Sequence, residues 1–191
     1  MTGLIILAAG QSARMGQPKQ KLLYKGESLL QHAVHAALNS TCRPVIVILG
    51  AYAATISADI EGEPVVVIHN PNWEEGMASS IRAGIMELEK DDDITGAIIM
   101  LCDQPFVDAA LINTLIEQKE KTDKGIVACN YGDTVGVPVF FDRKYFAELL
   151  LLQGHDGAKK LLHLFKKDVI TIPFALGKVD IDTIKDYENL L

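Results

Sequence analysis

The chain alternates short, continuous apolar runs with longer segments in which apolar residues recur every three or four positions. Such runs are typical of strands buried on both faces of a parallel sheet, and such segments are typical of amphipathic helices. The apolar runs are Leu4–Leu7, Val45–Leu49, Val65–Ile68, Ala97–Leu101 and Ile126–Ala128. The helical segments are Ser28–Leu38, Ala53–Ile60, Ala78–Glu89 and Ala109–Glu120. This alternation predicts an α/β fold, a Rossmann-like three-layer sandwich with a mostly parallel sheet.

The pattern changes after Ala128, where the sheet is expected to become mixed. A strand-like stretch, Val137–Phe141, contains Pro138, and proline predicts the start of a strand or an edge position because it has no N–H to donate. The elements predicted next are two helices at Arg143–Leu152 and Ala158–Phe165, a short strand at Val169–Ile172, and a last helix that runs to Leu191. Because 191 residues show no internal repeat or linker, a single domain over residues 1–191 is expected.

Composition excludes several classes of protein. The chain is 49% hydrophobic and 23% charged, which is ordinary for a soluble globular protein. Its net charge of −7 and the absence of a basic patch argue against a nucleic-acid surface, and no apolar run approaches membrane-spanning length. Cys42, Cys102 and Cys129 are far apart, so neither a disulfide framework nor a zinc site is predicted. These features predict a cytoplasmic protein with no nucleic-acid or membrane partner.

The loop after the first apolar run, Leu7–Lys19, carries the features of an anion-binding loop. Gly10 has no Cβ, so the backbone N–H groups there can approach a ligand closely. Arg14 and Lys19 add positive charge, which favours an anion such as the phosphates of a nucleotide. Gly16 is not followed at once by Lys and Ser or Thr, so this is not a P-loop. An ordinary glycine-containing connection from strand to helix is the alternative.

Asp103 directly follows the fourth apolar run and is the candidate metal ligand. In open α/β sheets the ligands bind beyond the carboxyl ends of the strands, so Asp103 is expected to face the anion-binding loop, where it could hold Mg²⁺. The alternative is a turn residue or a helix cap before Pro105, although Asp108 suits the cap better because the helical pattern starts right after it. Cys102 is interpreted as a small buried apolar residue.

The loop sequence Leu-Ala-Ala-Gly-x-Ser-x-Arg-Met-Gly-x-Pro-Lys resembles the signature of the nucleotidyltransferases that activate the molybdenum cofactor, the MobA-like NTP transferases. The resemblance implies that six residues of the loop bind a nucleoside triphosphate: Ala8, Ala9, Gly10, Ser12, Arg14 and Lys19. It also implies that Arg14 and Lys19 are catalytic. One departure follows this signature, since Lys21 is an extra charge where the family usually has leucine.

Three further segments resemble the same family. Cys-Asp-Gln-Pro implies that Asp103 binds the catalytic metal ion. Asn-Pro-x-Trp-x-Glu-Gly-Met-x-x-Ser implies substrate contacts at Gly76, Met77 and Ser80, although by composition it is an ordinary loop. Asp-Ile-Asp-Thr implies a second metal ligand, for which the candidates are Asp180 and Asp182; the latter could instead cap the last helix. The family pattern is broken where Val137 replaces His and His155 replaces Asp.

The resemblance also implies a reaction. A family member transfers a nucleoside monophosphate to the phosphate of molybdopterin or its molybdenum-loaded form, with Mg²⁺ as cofactor, and a molybdoenzyme is a possible partner for the product. Ala8-Ala9-Gly10 resembles the cytidylyltransferases, so CTP is the expected nucleotide. The alternatives are a guanylyltransferase, a sugar-phosphate nucleotidyltransferase, and a carrier that binds molybdopterin dinucleotide without turning it over.

Overall fold

The computed structural model describes residues 1–191, which form one seven-stranded sheet and a separate two-stranded hairpin. The strands are β1 (Thr2–Ala8), β2 (Leu23–Tyr24), β3 (Glu27–Ser28), β4 (Val45–Leu49), β5 (Val66–His69), β6 (Gly96–Leu101), β7 (Ile126–Asn130), β8 (Val135–Asp142) and β9 (Val169–Pro173). The helices are α1 (Leu29–Leu38), α2 (Ala53–Ile56), α3 (Met77–Leu88), α4 (Ala109–Glu120), α5 (Phe146–Leu150), α6 (Ala158–Leu164) and α7 (Ile184–Leu190). None of these helices combines the length and the apolar character needed to cross a membrane.

The large sheet is mostly parallel, as predicted. Its strand order is β5-β4-β1-β6-β8-β7-β9, with β2 and β3 forming the separate hairpin. Strands β5, β4, β1 and β6 pair in parallel, and β7 pairs in parallel with β9. Only β8 runs against its neighbours, pairing antiparallel with both β6 and β7. The C-terminal half therefore makes the sheet mixed, which confirms the expectation drawn from the change of pattern after Ala128.

Helices cover both faces of the sheet, which confirms the three-layer prediction. On one face, Leu4 and Ile6 of β1 pack with apolar residues of α1, α2 and α4. On the other face, Ile5 and Leu7 pack with apolar residues of α3, α5 and α6. Because alternate residues of β1 face opposite layers, its buried part must be apolar at every position, and this is why Leu4–Ala8 is a continuous apolar run.

Both positions predicted for Pro138, a strand start and an edge, were wrong, because β8 begins at Val135 and lies inside the sheet between β6 and β7. The register between β7 and β8 shifts there: Ala128 pairs with Val139, whereas Cys129 pairs with Gly136. Pro138 therefore sits at a β-bulge, one of the few places inside a sheet where a missing N–H is tolerated. The edge strands are β5, whose Val66 and Val67 are exposed, and β9.

Three predicted helices are shorter in the structure. Ala53–Ile60 divides into α2 and a 3₁₀ turn at Ser57–Ile60, and Arg143–Leu152 begins with a 3₁₀ turn before α5. Ala158–Phe165 ends one residue early, at Leu164. The hairpin of β2 and β3 was not predicted because strands of two residues have no detectable periodicity. Ser28 caps α1 through a capping box with Gln31, so the predicted start of that helix is confirmed.

The strand order reverses beside β1, and this reversal positions the candidate site. From β1 the chain moves to β4 and β5 on one side, then crosses to β6 on the other side of β1. The loops that follow β1 and β6 are consequently neighbours at the carboxyl ends of two parallel strands. A crevice at such a point is the usual ligand site of open α/β sheets.

Candidate active site

A buried glutamine closes the loop that follows β1. Gln20 is 1% exposed, and its Nε2 donates hydrogen bonds to the carbonyl oxygens of Ala8 (2.8 Å) and Gly10 (3.0 Å). The Ser12 hydroxyl accepts a hydrogen bond from the Lys19 N–H at 3.1 Å and donates to Gln20 Oε1 at 3.4 Å. The two ends of the loop are therefore joined by side chains. Sequence reasoning missed Gln20, since its type and position in a loop carry no pattern.

Charged side chains from three distant parts of the chain meet at this loop. The Lys19 ammonium donates a hydrogen bond to Asp103 Oδ2 and another, of 2.9 Å, to Asp182 Oδ1. Arg14 Nη2 lies 2.9 Å from Asp182 Oδ2. The backbone supports the arrangement, because the N–H of Ile181 donates to the carbonyl oxygen of Asp103 at 3.1 Å. The structure thus brings together four of the residues singled out from the sequence.

Asp182 is free to face this cluster because another residue caps the last helix. Thr183 is the N-cap of α7 and forms a capping box with Asp186, whose carboxylate also accepts the Asp182 N–H. The capping alternative for Asp182 is therefore wrong. The helix-cap alternative for Asp103 is also wrong, because the Asp108 side chain caps α4 by accepting the N–H of Leu111, although Asp103 does lie in a turn.

Burial and ion pairing set the charge states at the cluster. Burial raises the pKa of the Asp103 carboxyl above its usual range, and the nearby Lys19 ammonium opposes that rise. Burial also acts to lower the pKa of Lys19, but attraction and hydrogen bonding to Asp103, with the bond to Asp182, raise it on balance. For Asp182 the hydrogen bond and charge of Lys19 outweigh burial, so its pKa is lowered. An adjacent cation therefore stabilises the ionised form of Asp103.

The donor set fits a hard divalent cation. Asp103 Oδ1 is buried and has no hydrogen-bond partner, which leaves one carboxylate oxygen unsatisfied. Carboxylate oxygens are the ligands that Mg²⁺ and Mn²⁺ prefer. No group of three His, Cys, Asp or Glu side chains is arranged to hold a metal ion. A cation on Asp103 and Asp182 would therefore need further oxygen ligands from a bound molecule or from water.

One cavity of about 690 Å³ contains this cluster. Ten of the residues predicted for the site line it: Ala8, Ala9, Gly10, Arg14, Lys19, Gly76, Ser80, Asp103, Asp180 and Asp182. Ser12 does not line it; its hydroxyl instead holds the loop backbone. Met77 and His155 also border the cavity, whereas Val137 does not. The unexplained Lys21 points elsewhere, since its ammonium lies 3.0 Å from Asp59 Oδ1.

The wall that carries Gly76 and Ser80 is held by two loops packed against each other. Gly76 has φ +118°, and a Cβ at this position would lie 2.4 Å from the carbonyl oxygen of Gly154. The same carbonyl accepts the N–H of Ala78 at 3.1 Å. Arg82 clamps the two loops by contacting Glu75 at 2.6 Å and donating to the Leu152 carbonyl at 2.7 Å. Glycine at position 76 is required by both the positive φ and this close approach.

The cysteine at the cavity is not an activated nucleophile. Burial and the adjacent Asp103 carboxylate raise the pKa of the Cys102 thiol to about 12, so the thiol is neutral near pH 7. Burial likewise raises the pKa values of Cys42 and Cys129, to about 11 and about 12. All three are free thiols in the core, as the interpretation of Cys102 as an apolar residue expects.

A family model supports the assignment suggested by the loop. The model described as the MobA-like NTP transferase domain matches residues 4–169, which include the loop after β1, the wall around Gly76 and Asp103. The chain belongs to the MobA-like NTP transferase family. This family is one of nucleotidyltransferases, which confirms the resemblance noted in the sequence. Asp180 and Asp182 lie beyond the matched residues.

Three proteins illustrate what this chain is similar to. Purine catabolism protein PucB of Bacillus subtilis strain 168 is 28% identical over 96% of this chain and 93% of its own length. Nicotine blue oxidoreductase of Paenarthrobacter nicotinovorans is 33% identical over 59% of this chain, and the match spans only 54% of that protein. The crystal structure of Rv0371c from Mycobacterium tuberculosis H37Rv is 33% identical, has a TM-score of 0.85 and covers 100% of this chain and 96% of its own. Rv0371c has also been solved as a complex with manganese, at a TM-score of 0.83.

Proposed function

We propose that this MobA-like NTP transferase moves CMP from CTP to the phosphate of a molybdopterin-type acceptor and releases pyrophosphate. The observation that carries the proposal is the shared cavity, in which an anion-binding loop faces two aspartates and Lys19 lies between them. This arrangement suits a triphosphate on the loop side and a divalent cation on the carboxylate side. The nature of the acceptor rests on the family signatures alone.

The chain's own groups match the needs of nucleotidyl transfer. A phosphate monoester carries a nucleophilic oxyanion at neutral pH, so the acceptor needs alignment with the α-phosphorus rather than a general base. The buried, neutral thiol of Cys102 agrees with a direct transfer that forms no bond to the protein. Lys19 and Arg14 would bind the β- and γ-phosphates and stabilise the negative charge that develops on the leaving pyrophosphate. The N–H groups around Gly10 would orient the triphosphate.

Asp103 and Asp182 are the residues that would hold Mg²⁺ or Mn²⁺. Their oxygens are the right donors, and the unpartnered Asp103 Oδ1 provides a further ligand position. A divalent cation bound there supplies charge neutralisation and electrophilic assistance to the phosphates. The manganese complex of Rv0371c supports a divalent metal in this family, and Mg²⁺ remains our proposal for the chain. Asp180 lines the same cavity and is the alternative second ligand.

Ala9 supports the choice of CTP. It lies at the end of β1, is nearly buried and borders the cavity. A Cβ at Gly50 would lie 2.8 Å from the Ala9 Cβ and 2.7 Å from the Trp73 Cβ, so these three residues are in tight contact. A methyl group at position 9 would limit how closely a base can approach the backbone, which favours a pyrimidine over a larger purine. Glycine in place of Ala9 would be compatible with GTP.

Thermal denaturation with CTP, GTP, ATP and UTP, each with Mg²⁺, is the first test. A ligand that binds only the native state raises the melting temperature in proportion to the logarithm of its saturation. We expect a shift with CTP that Asp103→Asn reduces and the matched variant Asp108→Asn retains, because Asn also caps helices well. Pyrophosphate release from CTP in the presence of molybdopterin is the second test.

The two tests separate the remaining alternatives. A shift with GTP alone would replace CTP by GTP while keeping the reaction, and release of pyrophosphate only with a sugar phosphate would change the acceptor. Binding of molybdopterin dinucleotide with no pyrophosphate release under any condition would favour a carrier. An oxidoreductase reaction, which the name of the Paenarthrobacter relative raises, would appear as consumption of a reduced nicotinamide cofactor instead.

A further inference from the structure

The Lys19 ammonium occupies the carboxylate oxygens that a divalent cation would use. It donates to Asp103 Oδ2 and lies 2.9 Å from Asp182 Oδ1, so it joins the two acidic side chains as a bridge. The side chains of Lys19 and Asp103 are only 16% and 8% exposed, so water screens this contact weakly. Asp103 Oδ1 has no partner, but both Asp182 oxygens are in use, Oδ1 by Lys19 and Oδ2 by Arg14. A cation that binds Asp103 Oδ2 and Asp182 Oδ1 must therefore displace the Lys19 ammonium.

Displacement requires a second anion for Lys19. A partly buried ammonium that loses its partners without replacement carries a desolvation penalty. Within the cavity the only other acidic side chains are Glu74 and Asp180, neither of which contacts Lys19. The triphosphate of the proposed substrate is an anion that the loop is built to hold. The side chain can move alone, because the Lys19 backbone N–H is fixed by the Ser12 hydroxyl and the lysine stem is flexible.

Binding of the triphosphate to Lys19 also favours binding of the metal ion. Asp103 and Asp182 supply carboxylates from only two residues, and Mg²⁺ usually completes such a set with substrate phosphates and water. The triphosphate thus removes the competing ammonium and also supplies ligands. Both effects make the metal and the nucleotide bind together rather than independently.

We infer that Lys19, besides its proposed contact with the phosphates, sets the order of loading: its ammonium joins Asp103 and Asp182 until a triphosphate binds it, and only then are Asp103 Oδ2 and Asp182 Oδ1 both available to the metal. This inference rests on the proposed function for the identity of the anion. Competition between Lys19 and the metal is independent of it. A divalent cation alone therefore binds this protein weakly, and loss of the Lys19 charge strengthens that binding.

The competition is tested by titrating the protein with Mn²⁺ in the absence of nucleotide. The electron paramagnetic resonance signal of free Mn²⁺ reports how much of the ion is bound. Lys19→Met keeps the length of the stem and removes the charge, and we expect it to lower the Kd for Mn²⁺ roughly tenfold. Lys21→Met is the matched control, because Lys21 lies two residues away and pairs with Asp59 outside the cavity. It is expected to leave the Kd unchanged. An unchanged or weaker Mn²⁺ affinity in Lys19→Met would overturn the inference.

A measurement on the unmodified protein covers the case in which Lys19→Met does not fold. The ammonium resonance of Lys19 in a ¹H–¹⁵N spectrum should shift during a Mg²⁺ titration, at the same concentrations at which Mg²⁺ binds. Binding of Mg²⁺ with no change in this resonance would contradict displacement. Neither experiment contains CTP or an acceptor, so failure of the proposed reaction and failure of this inference give different results.

Discussion

Lys19 Nζ lies 2.9 Å from Asp182 Oδ1, although 163 residues separate the two positions. Lys19 ends the first loop of the chain, whereas Asp182 precedes its last helix. The contact therefore depends on the whole sheet, which brings the C-terminal segment back to the loop after β1. The Ile181 N–H, bonded to the Asp103 carbonyl, fixes that return. Both ends of the chain are thus needed to complete the charged cluster.

Replacing Asp103 by Asn should abolish most of the transfer activity. The substitution keeps the size of the side chain but removes the charge that faces Lys19 and the expected cation. Loss of one such electrostatic contact usually reduces kcat by a factor of about 10²–10³. Pyrophosphate release under saturating CTP measures the effect. Asp108→Asn, which changes the same residue type at the cap of α4, should retain activity within a factor of about two. Equal activities in the two variants would exclude Asp103 from the reaction.

Gln20 should be as important for nucleotide affinity as the residues that contact the nucleotide. Gln20→Met retains the buried volume and leaves the carbonyls of Ala8 and Gly10 without their donor. The Ala8 carbonyl is buried, and an unsatisfied buried group costs roughly 1–3 kcal/mol, so the loop should relax and the affinity for CTP should fall about tenfold. Titration calorimetry measures the affinity. Gln17→Met, at an exposed position of the same loop, is the control and should bind CTP normally.

The parts of the fold that could be predicted are those encoded locally. Strands covered on both faces need an apolar residue at every position, so β1, β4 and β6 are visible as continuous runs. The bulge at Pro138 could not be predicted because it depends on how β7 and β8 align, which is a relation between distant residues. The 3₁₀ turn after α2 was also missed, because a short 3₁₀ turn and a helix share nearly the same apolar spacing.

The candidate site likewise has some features that could be predicted from the sequence and others that could not. Asp103 could be identified because it follows a predicted strand, and carboxyl ends of parallel strands converge on a ligand site. The structural role of Ser12 and Gln20 could not be recognised, since it consists of hydrogen bonds inside one loop. Asp182 was suggested only by resemblance, and its capping alternative fails because Thr183 and Asp186 form the cap. The sequence alone contains no signal that Lys19 and Asp182 are in contact.

The ionised Asp168 side chain should stabilise the fold near neutral pH but not at acidic pH. Burial acts to raise its pKa, but hydrogen bonds from Lys144, Tyr145 and the Gly125 N–H lower it to about 2. Because the folded pKa lies below the unfolded value of about 3.9, this stabilisation is present above pH 4 and is lost as the pH falls towards 2. Asp168→Asn should therefore lower the melting temperature at pH 7 by a few degrees, and the difference from the parent should shrink below pH 4. The exposed Asp123→Asn is the control, and a constant difference across the pH range would contradict the assignment.

Gly76→Ala should weaken the wall of the cavity as well as the fold. The new Cβ would lie 2.4 Å from the Gly154 carbonyl oxygen, at a φ of +118° that disfavours alanine. Gly62→Ala is the matched control, because Gly62 has φ +85° with nothing within 4 Å of an added Cβ. Backbone strain alone costs about 1–3 kcal/mol, so urea denaturation should show that loss for Gly62 and a larger one for Gly76. Equal losses would mean that the loop around Gly154 moves freely to accommodate the methyl group.

Ala9→Gly should relax the choice of nucleobase. The substitution removes one methyl group from the contact with Gly50, and it should let a base approach the backbone beside the loop more closely. One methyl or methylene group in a binding pocket discriminates by about 10–200-fold, so the ratio of kcat/KM for CTP to that for GTP should fall at least tenfold. Ala13→Gly is the control for added flexibility, because Ala13 is exposed in the same loop. If both variants change the ratio equally, the effect comes from loop flexibility. If only Ala9→Gly changes it, the methyl group of Ala9 selects the base by its size.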